Sequence, residues 1–155
     1  MRIYLPSTFP DLAGVLDADR IDAVPATAFA VTERLAGPGQ AGDDEELEYE
    51  ALSGAAAASL RLLAADPAAQ RRRAVIAAEA PDAVIGPAPA GEDHPAAVAL
   101  TGELPLNRVA ALHVDAPEAA EAVAAAVADP DGGHTDEHEL LWYATQELAD
   151  LVGRR

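Results

Sequence analysis

Bulky apolar side chains are sparse along this chain, so the places where they recur at a regular period carry most of the fold information. Ile3, Tyr4 and Leu5 make a short apolar run closed by Pro6, which predicts a first strand over residues 2 to 5. Thr8 followed by Asp11, with Pro10 in the first turn, is a helix-start pattern. Leu12, Val15 and Leu16 then supply the buried stripe of a short helix ending near Ala18. Thr27, Phe29 and Val31 alternate with Ala28 and Ala30, the period-two signature of a strand whose bulkier face meets the helices. Gly37-Pro38-Gly39-Gln40 breaks the chain, and the acidic run Asp43-Asp44-Glu45-Glu46 puts negative charge at the start of a helix from about 44 to 65. Leu47, Leu52, Leu60, Leu62 and Leu63 give that helix apolar surface. Gly54-Ala55-Ala56-Ala57-Ala58 keeps its middle thin enough for close approach, and Asp66-Pro67 ends it.

Residues 73 to 79 read as a third strand, and the Pro-rich interval from 81 to 95 as a long irregular loop, either mobile or a lid. Residues 97 to 103 and 108 to 114 are the fourth and fifth strands, joined as a hairpin across Leu104-Pro105-Leu106-Asn107. Asp115 caps a helix beginning at Ala116, with Pro117 in the first turn, Glu118 at the capping-box position and Val123 and Val127 inward; Asp129-Pro130-Asp131-Gly132-Gly133 terminates it. A final helix starts near Asp136, which forms a capping-box pattern with Glu139. It lines up Leu141, Ala144, Leu148, Leu151 and Val152 on one side, with Gly153 as its C-cap. The order β-α-β-α-β-β-β-α-α predicts the α+β class: a two-layer sandwich, with an about five-stranded mixed sheet and four helices mainly on one face. At 155 residues with no internal repeat, the chain reads as one domain over residues 1 to 155, burying roughly two thirds of the surface its unfolded form exposes.

Charge narrows the partners. Against 27 acidic residues stand ten basic ones, all Arg, giving −17 at pH 7; this balance repels phosphate backbones and anionic lipid, so neither nucleic acid nor a membrane surface is an expected partner. The one basic run, Arg71-Arg72-Arg73, is too short to reverse that. Without cysteine there is no disulfide, thiolate metal site or Cys nucleophile. No window approaches the ~20 apolar residues of a membrane span, and Met1-Arg2-Ile3-Tyr4-Leu5-Pro6 has no long apolar leader, so the expected location is the cytoplasm.

Candidate chemistry concentrates between residues 138 and 148, which hold the only Trp, one of three Tyr and one of four His. His138-Glu139 opens like the zinc-protease helix His-Glu-x-x-His, but the fifth position is Trp142 and the motif fails. His134 lies four residues before His138, yet Gly132-Gly133 places it ahead of the helix; a solvated His134 and a capping-turn His138 is the favoured reading, with no metal and no cofactor. Trp142 and Tyr143 are adjacent, about 100 degrees apart on a helix, so one faces the core and the other is partly exposed. Trp142 either anchors an interface beside Gln146 and Glu147 or fills the groove between the last two helices. His113 alternates with Leu112 and Val114 and so points from the opposite, open face of the sheet, where it suits acid–base work; Asp115 would share its strand face, although helix capping accounts better for Asp115. No Ser stands in a nucleophile elbow, Glu45, Glu46, Glu48 and Glu50 read as a solvated helix face, and Gly37-Pro38-Gly39 lacks the Gly-Lys-Ser/Thr ending of a phosphate loop.

Several segments together are familiar: Arg2-Ile3-Tyr4-Leu5-Pro6, Ala26-Thr27-Ala28-Phe29-Ala30-Val31-Thr32, Glu45-Glu46-Leu47-Glu48-Tyr49, Arg108-Val109-Ala110-Ala111-Leu112-His113-Val114-Asp115, and the run from His138 through Trp142 to Leu148. With these the chain resembles, over nearly its whole length, a family of small actinobacterial proteins classified only as a domain of unknown function. The resemblance implies a bacterial cytosolic, single-domain protein and brings no activity, ligand or catalytic residue with it. Two functions follow from the residues. The preferred one is a non-enzymatic protein-interaction or regulatory module, binding a protein partner or a second copy through Trp142, Tyr143, His138 and Gln146. The alternative is a small-molecule binder or enzyme using His113, with Asp115, on the open sheet face, the loop after Pro81 as a lid, and a pocket that holds His113 near Tyr4 or His138.

Overall fold

The structure is a computed structural model that describes residues 1 to 37 and 45 to 153. The expected break at 38 to 40 and the Asp43-Asp44 part of the helix start lie outside the described residues.

The central strand β4 (Ala74–Glu79) explains the layering. Ala74, Ile76 and Ala78 belong to one buried cluster and Val75 and Ala77 to another, so the strand is apolar on both sides and the sheet is covered on both faces. β4 sits between β1 (Arg2–Ser7) and β8 (Val109–Val114), with Leu5 opposite Ile76 and Ile76 opposite Leu112. With β3 (Ala26–Phe29), β5 (Ile85–Gly86), β6 (Ala97–Leu100) and β9 (Leu141–Tyr143) they form a seven-stranded antiparallel sheet in the order β5-β6-β3-β1-β4-β8-β9. β2 (Arg20–Ile21) and β7 (Leu104–Pro105) pair separately as a small ribbon.

On one face lies α1 (Phe9–Ala18), capped as its sequence indicates: the Asp11 backbone N–H donates to Thr8 Oγ1 at 3.3 Å. Its Leu12 and the Leu148 of α5 (Leu148–Leu151) are buried against Ile3, Leu5, Ile76 and Leu112, each such side chain contributing about 1.5–3 kcal/mol. On the other face α3 (Glu45–Ala65) lays Ala51, Ala55 and Ala58 against Tyr4, Phe29 and Val75, the close approach that its small residues foretell. Gly54 is needed there, because a Cβ would lie 2.9 Å from Phe29 Cδ2 and 3.0 Å from His94 Nε2. α4 (Ala120–Ala128) packs Val123 and Ala126 against Leu60 and Leu63 of α3, and the one-turn α2 (Glu33–Ala36) is capped by Thr32.

The α+β class holds, and several finer expectations do not. The sheet has seven strands rather than five, it is antiparallel rather than mixed, and helices cover both faces rather than mainly one. Residues 97 to 103 and 108 to 114 do not form a hairpin: β3, β1 and β4 stand between β6 and β8, and Leu104–Pro105 leaves the sheet to pair with β2. The Pro-rich interval is not a free lid, since it contributes β5, holds Glu92 against Arg61 and sets His94 edge-on against Phe29. The final helix is the largest correction. Residues 141 to 143 are a strand, because β8 offers an unpaired edge and Leu, Trp and Tyr fit a pleated surface; only 148 to 151 are α-helical. Among the described residues no helix is long and apolar enough to cross a membrane.

Candidate functional site

The residues singled out by sequence gather at the β8–β9 end of the sheet. Leu112 and Val114 turn toward the face of α1 and α5, which sends His113 to the α3 face together with Tyr4 of β1. The two rings meet edge-on, centroids 6.3 Å apart, with the small residues Ala77 and Ala111 beside them. Arg2 lies on the same face and donates from Nε to Glu79 Oε1 at 2.6 Å. Burial, followed by the nearby Glu48 carboxylate, raises the Tyr4 phenol above its usual range, while Arg2 opposes the shift. Burial, followed by the Arg2 charge, lowers the His113 imidazole. At neutral pH the pair is therefore a neutral imidazole beside a protonated phenol.

His113 lies by Tyr4 but not with Asp115. Asp115 is fully buried and gives both oxygens to Arg73: Nε donates to Oδ2 at 2.8 Å, Nη2 to Oδ1 at 2.9 Å, and the Arg73 backbone N–H to Oδ2 at 2.8 Å. Asp115 therefore does not cap the following helix, whose first turns, 117 to 119 and then α4, have no side-chain cap. The cause is strand register: Ala74 opposite Val114 sets residue 73 across from residue 115, and a buried guanidinium needs a carboxylate more than a helix end needs a cap.

All three Arg of the basic run are used inside the molecule. Arg71 donates to the Leu63 and Asp66 carbonyls at the end of α3, and Arg72 lies 4.4 Å over the Phe9 ring while donating to the Asp115 carbonyl. Arg73 Nη2 also donates to the His138 carbonyl at 2.9 Å, tying the approach to β9 onto the sheet. The chain's acidity gave a signal here that sequence reasoning missed: three adjacent cations in so acidic a chain are placed for carboxylates and carbonyls of the chain itself.

β9 pairs Trp142 with His113, so Trp142 projects on the α3 side while Leu141 and Tyr143 project on the other. Tyr143 packs against the core and Trp142 is 63 % exposed; it fills no interhelical groove. The expected split, one aromatic in and one out, is found, produced by strand alternation rather than helical rotation. Gln146 is exposed in the 3-10 turn from 145 to 147, where the Ala144 N–H donates to Glu147 Oε2 at 2.8 Å. His138 is half-buried in a turn closed by its N–H to the Thr135 carbonyl, and the side chains of Tyr49 and Leu52 in α3 and of Leu140 border a small cleft beside it of about 260 Å3. His134 contacts Asp129, Nε2 to Oδ2 at 3.1 Å. Among the described residues no group of three or more His, Asp or Glu is placed to hold a metal ion. His94, which sequence reasoning passed over, has Nδ1 accepting from the Ala96 N–H at 3.0 Å, which leaves its proton on Nε2.

Neither a curated protein nor a solved structure matches this chain. Residues 1–152 match the model of a family described as a Family of unknown function (DUF6912), and the chain belongs to that family.

Proposed function

We propose that this protein is an interaction module that takes an extended segment of a protein partner along the edge of β9, with Trp142 as the anchor. The observation that carries the reading is Trp142: the one Trp of the chain, 63 % exposed, on the outermost strand of the sheet. Leu141, next to it, is 44 % exposed, and β9 contains none of the charges, prolines or bulges that keep edge strands from pairing. An added strand makes main-chain hydrogen bonds along such an edge and lays alternate side chains beside the host's aromatic residues. The exposed Glu137, Glu139 and Glu147 flank the strand, which favours a partner segment with Arg or Lys between apolar positions. The same acidity, and the internal use of Arg71, Arg72 and Arg73, count against nucleic acid. A small-molecule or enzymatic role at His113 has the Tyr4 contact in its favour, but α3 covers much of that face and Asp115 is committed to Arg73, so it stands second.

The test is a titration with two peptides of alternating apolar and polar residues, one with Arg and one with Glu at the polar positions. The basic peptide binds the wild-type chain and loses about 30-fold or more on Trp142→Ala, a hot-spot loss of ~2 kcal/mol, while the variant's stability stays within ~0.5 kcal/mol of wild type. Methylation of alternate backbone nitrogens in the peptide abolishes binding. Affinity indifferent to both changes would sink the reading. A dimer seen by light scattering that dissociates on Trp142→Ala would instead give the edge to a second copy.

A further inference from the structure

A second cavity has no residue of β9 in its lining. It is a groove of about 600 Å3 running under one edge of α1 and bordered on its other side by Ala58, Arg61 and Leu62 of α3, within the size range of small-molecule sites. Pro10, Gly14 and Ala18, spaced four apart, turn one thin edge of the helix toward it, and Leu5, Ile21 and Ile76 are among the apolar residues that line it. Gly14 lies on the exposed mouth of the groove. A Cβ built there meets nothing within 4 Å, so the helix backbone itself faces empty space at a position where glycine costs about 1 kcal/mol relative to alanine and no turn or positive φ requires it.

The rim is acidic. Asp11, Asp22 and Glu92 border the groove against the single Arg61, which is already paired with Glu92 at 3.3 Å. Asp22 lies 3.6 Å from Arg20, but Arg20 is shared with Glu103 at 3.8 Å. Asp11 forms no ion pair among the described residues, its backbone N–H being the group that Thr8 caps. An anion entering here meets a rim whose carboxylates outnumber its cations, whereas a cation at the mouth offsets that net negative charge and leaves the apolar interior for a hydrocarbon body. We propose that the groove beneath α1 binds a small amphipathic cation, an ammonium or amidinium group on an apolar body, with Asp11 and Asp22 at the charged end and the Gly14 side of α1 against the hydrocarbon.

The proposal is tested on the full chain with octylamine and octanoate, which share a chain length and differ in charge, by calorimetry and by chemical-shift mapping. Octylamine is expected to bind at one site at least about tenfold tighter than octanoate, shifting resonances of α1. Gly14→Leu, which fills the space and raises helix propensity, abolishes that binding while leaving the fold intact. The double variant Asp11→Asn, Asp22→Asn keeps the groove but brings the two ligands to within about threefold of each other. Octanoate binding as tightly as octylamine would overturn the assignment and point to Arg61. Octylamine binding untouched by Gly14→Leu would reduce it to adsorption on an acidic surface, and absence of binding by octylamine would also overturn it.

Discussion

The sheet has two edges, and the chain treats them in opposite ways. β5, at one end, is two residues long, contains Gly86, is followed by Pro87, and its Ile85 is tucked against the main core. A proline and a short run leave an incoming strand few donors to pair with. β9, at the other end, has three bulky apolar residues, two of them exposed. The two edges differ in what guards each one. Guarding one edge while leaving the other sticky is costly unless the second edge is used, because exposed apolar strands invite aggregation.

That contrast can be broken from either side. The largest effect is expected at the anchor of the β9 end: Asp115→Ala strands the buried Arg73 cation and should cost about 3–5 kcal/mol in urea unfolding. Because Arg73 also holds the His138 carbonyl, hydrogen exchange in the variant should open residues 138 to 143 ahead of 85 to 100; the reverse order would detach Arg73 from the control of β9. A smaller effect is expected on the β5 side. Gly54→Ala pushes a methyl into Phe29 and His94 and, despite better helix propensity, should lose about 1–3 kcal/mol, with chemical-shift changes confined to β3, β6 and the His94 segment. The smallest is a pH effect at the β8 position facing Trp142. His113 titrates below its ordinary range in the fold, so the unfolded chain takes up a proton first; its contribution is complete above about pH 6.5 and declines as the pH falls through that value and on through the lowered one. His113→Gln should flatten that slope in the urea midpoint between neutral and mildly acidic pH, and an unchanged slope would mean that the buried imidazole is not its source.

Legibility followed length and amphipathicity. α1 with its Thr8 cap, the thin-waisted α3, and the strands β1, β4 and β8 all stand within a few residues of where their patterns place them, because each buries enough apolar surface to impose a period. What escaped were elements whose reason lies in another part of the chain. β2, β5 and β7 are two residues each and exist only as partners of something else. The stretch from 141 to 148 has apolar residues at helical spacing and the Asp136/Glu139 cap signature, yet the open side of β8 competes successfully for its first three residues, a non-local bond that no local pattern announces. The candidate site was half legible in the same sense. His113 does face away from Leu112 and Val114, and it does stand near Tyr4; the face it occupies is covered rather than open, since the reading of one helical layer missed that β4 is apolar on both sides. The sequence neighbours of Asp115 point to a helix cap, whereas its partner is Arg73, across the sheet.

The position of β1 has a consequence for how this molecule is made and cut. It is the first strand along the chain and the middle one of seven, with β3 and β4 on its two sides. Synthesis therefore produces the keystone before either of the strands it will rest between, and β1 waits until residue 79 has emerged before both of its edges are filled. Trimming the chain through residues 2 to 7 would not shorten the sheet but divide it, leaving β5-β6-β3 and β4-β8-β9 with no strand between them and only the helical layers to span the gap.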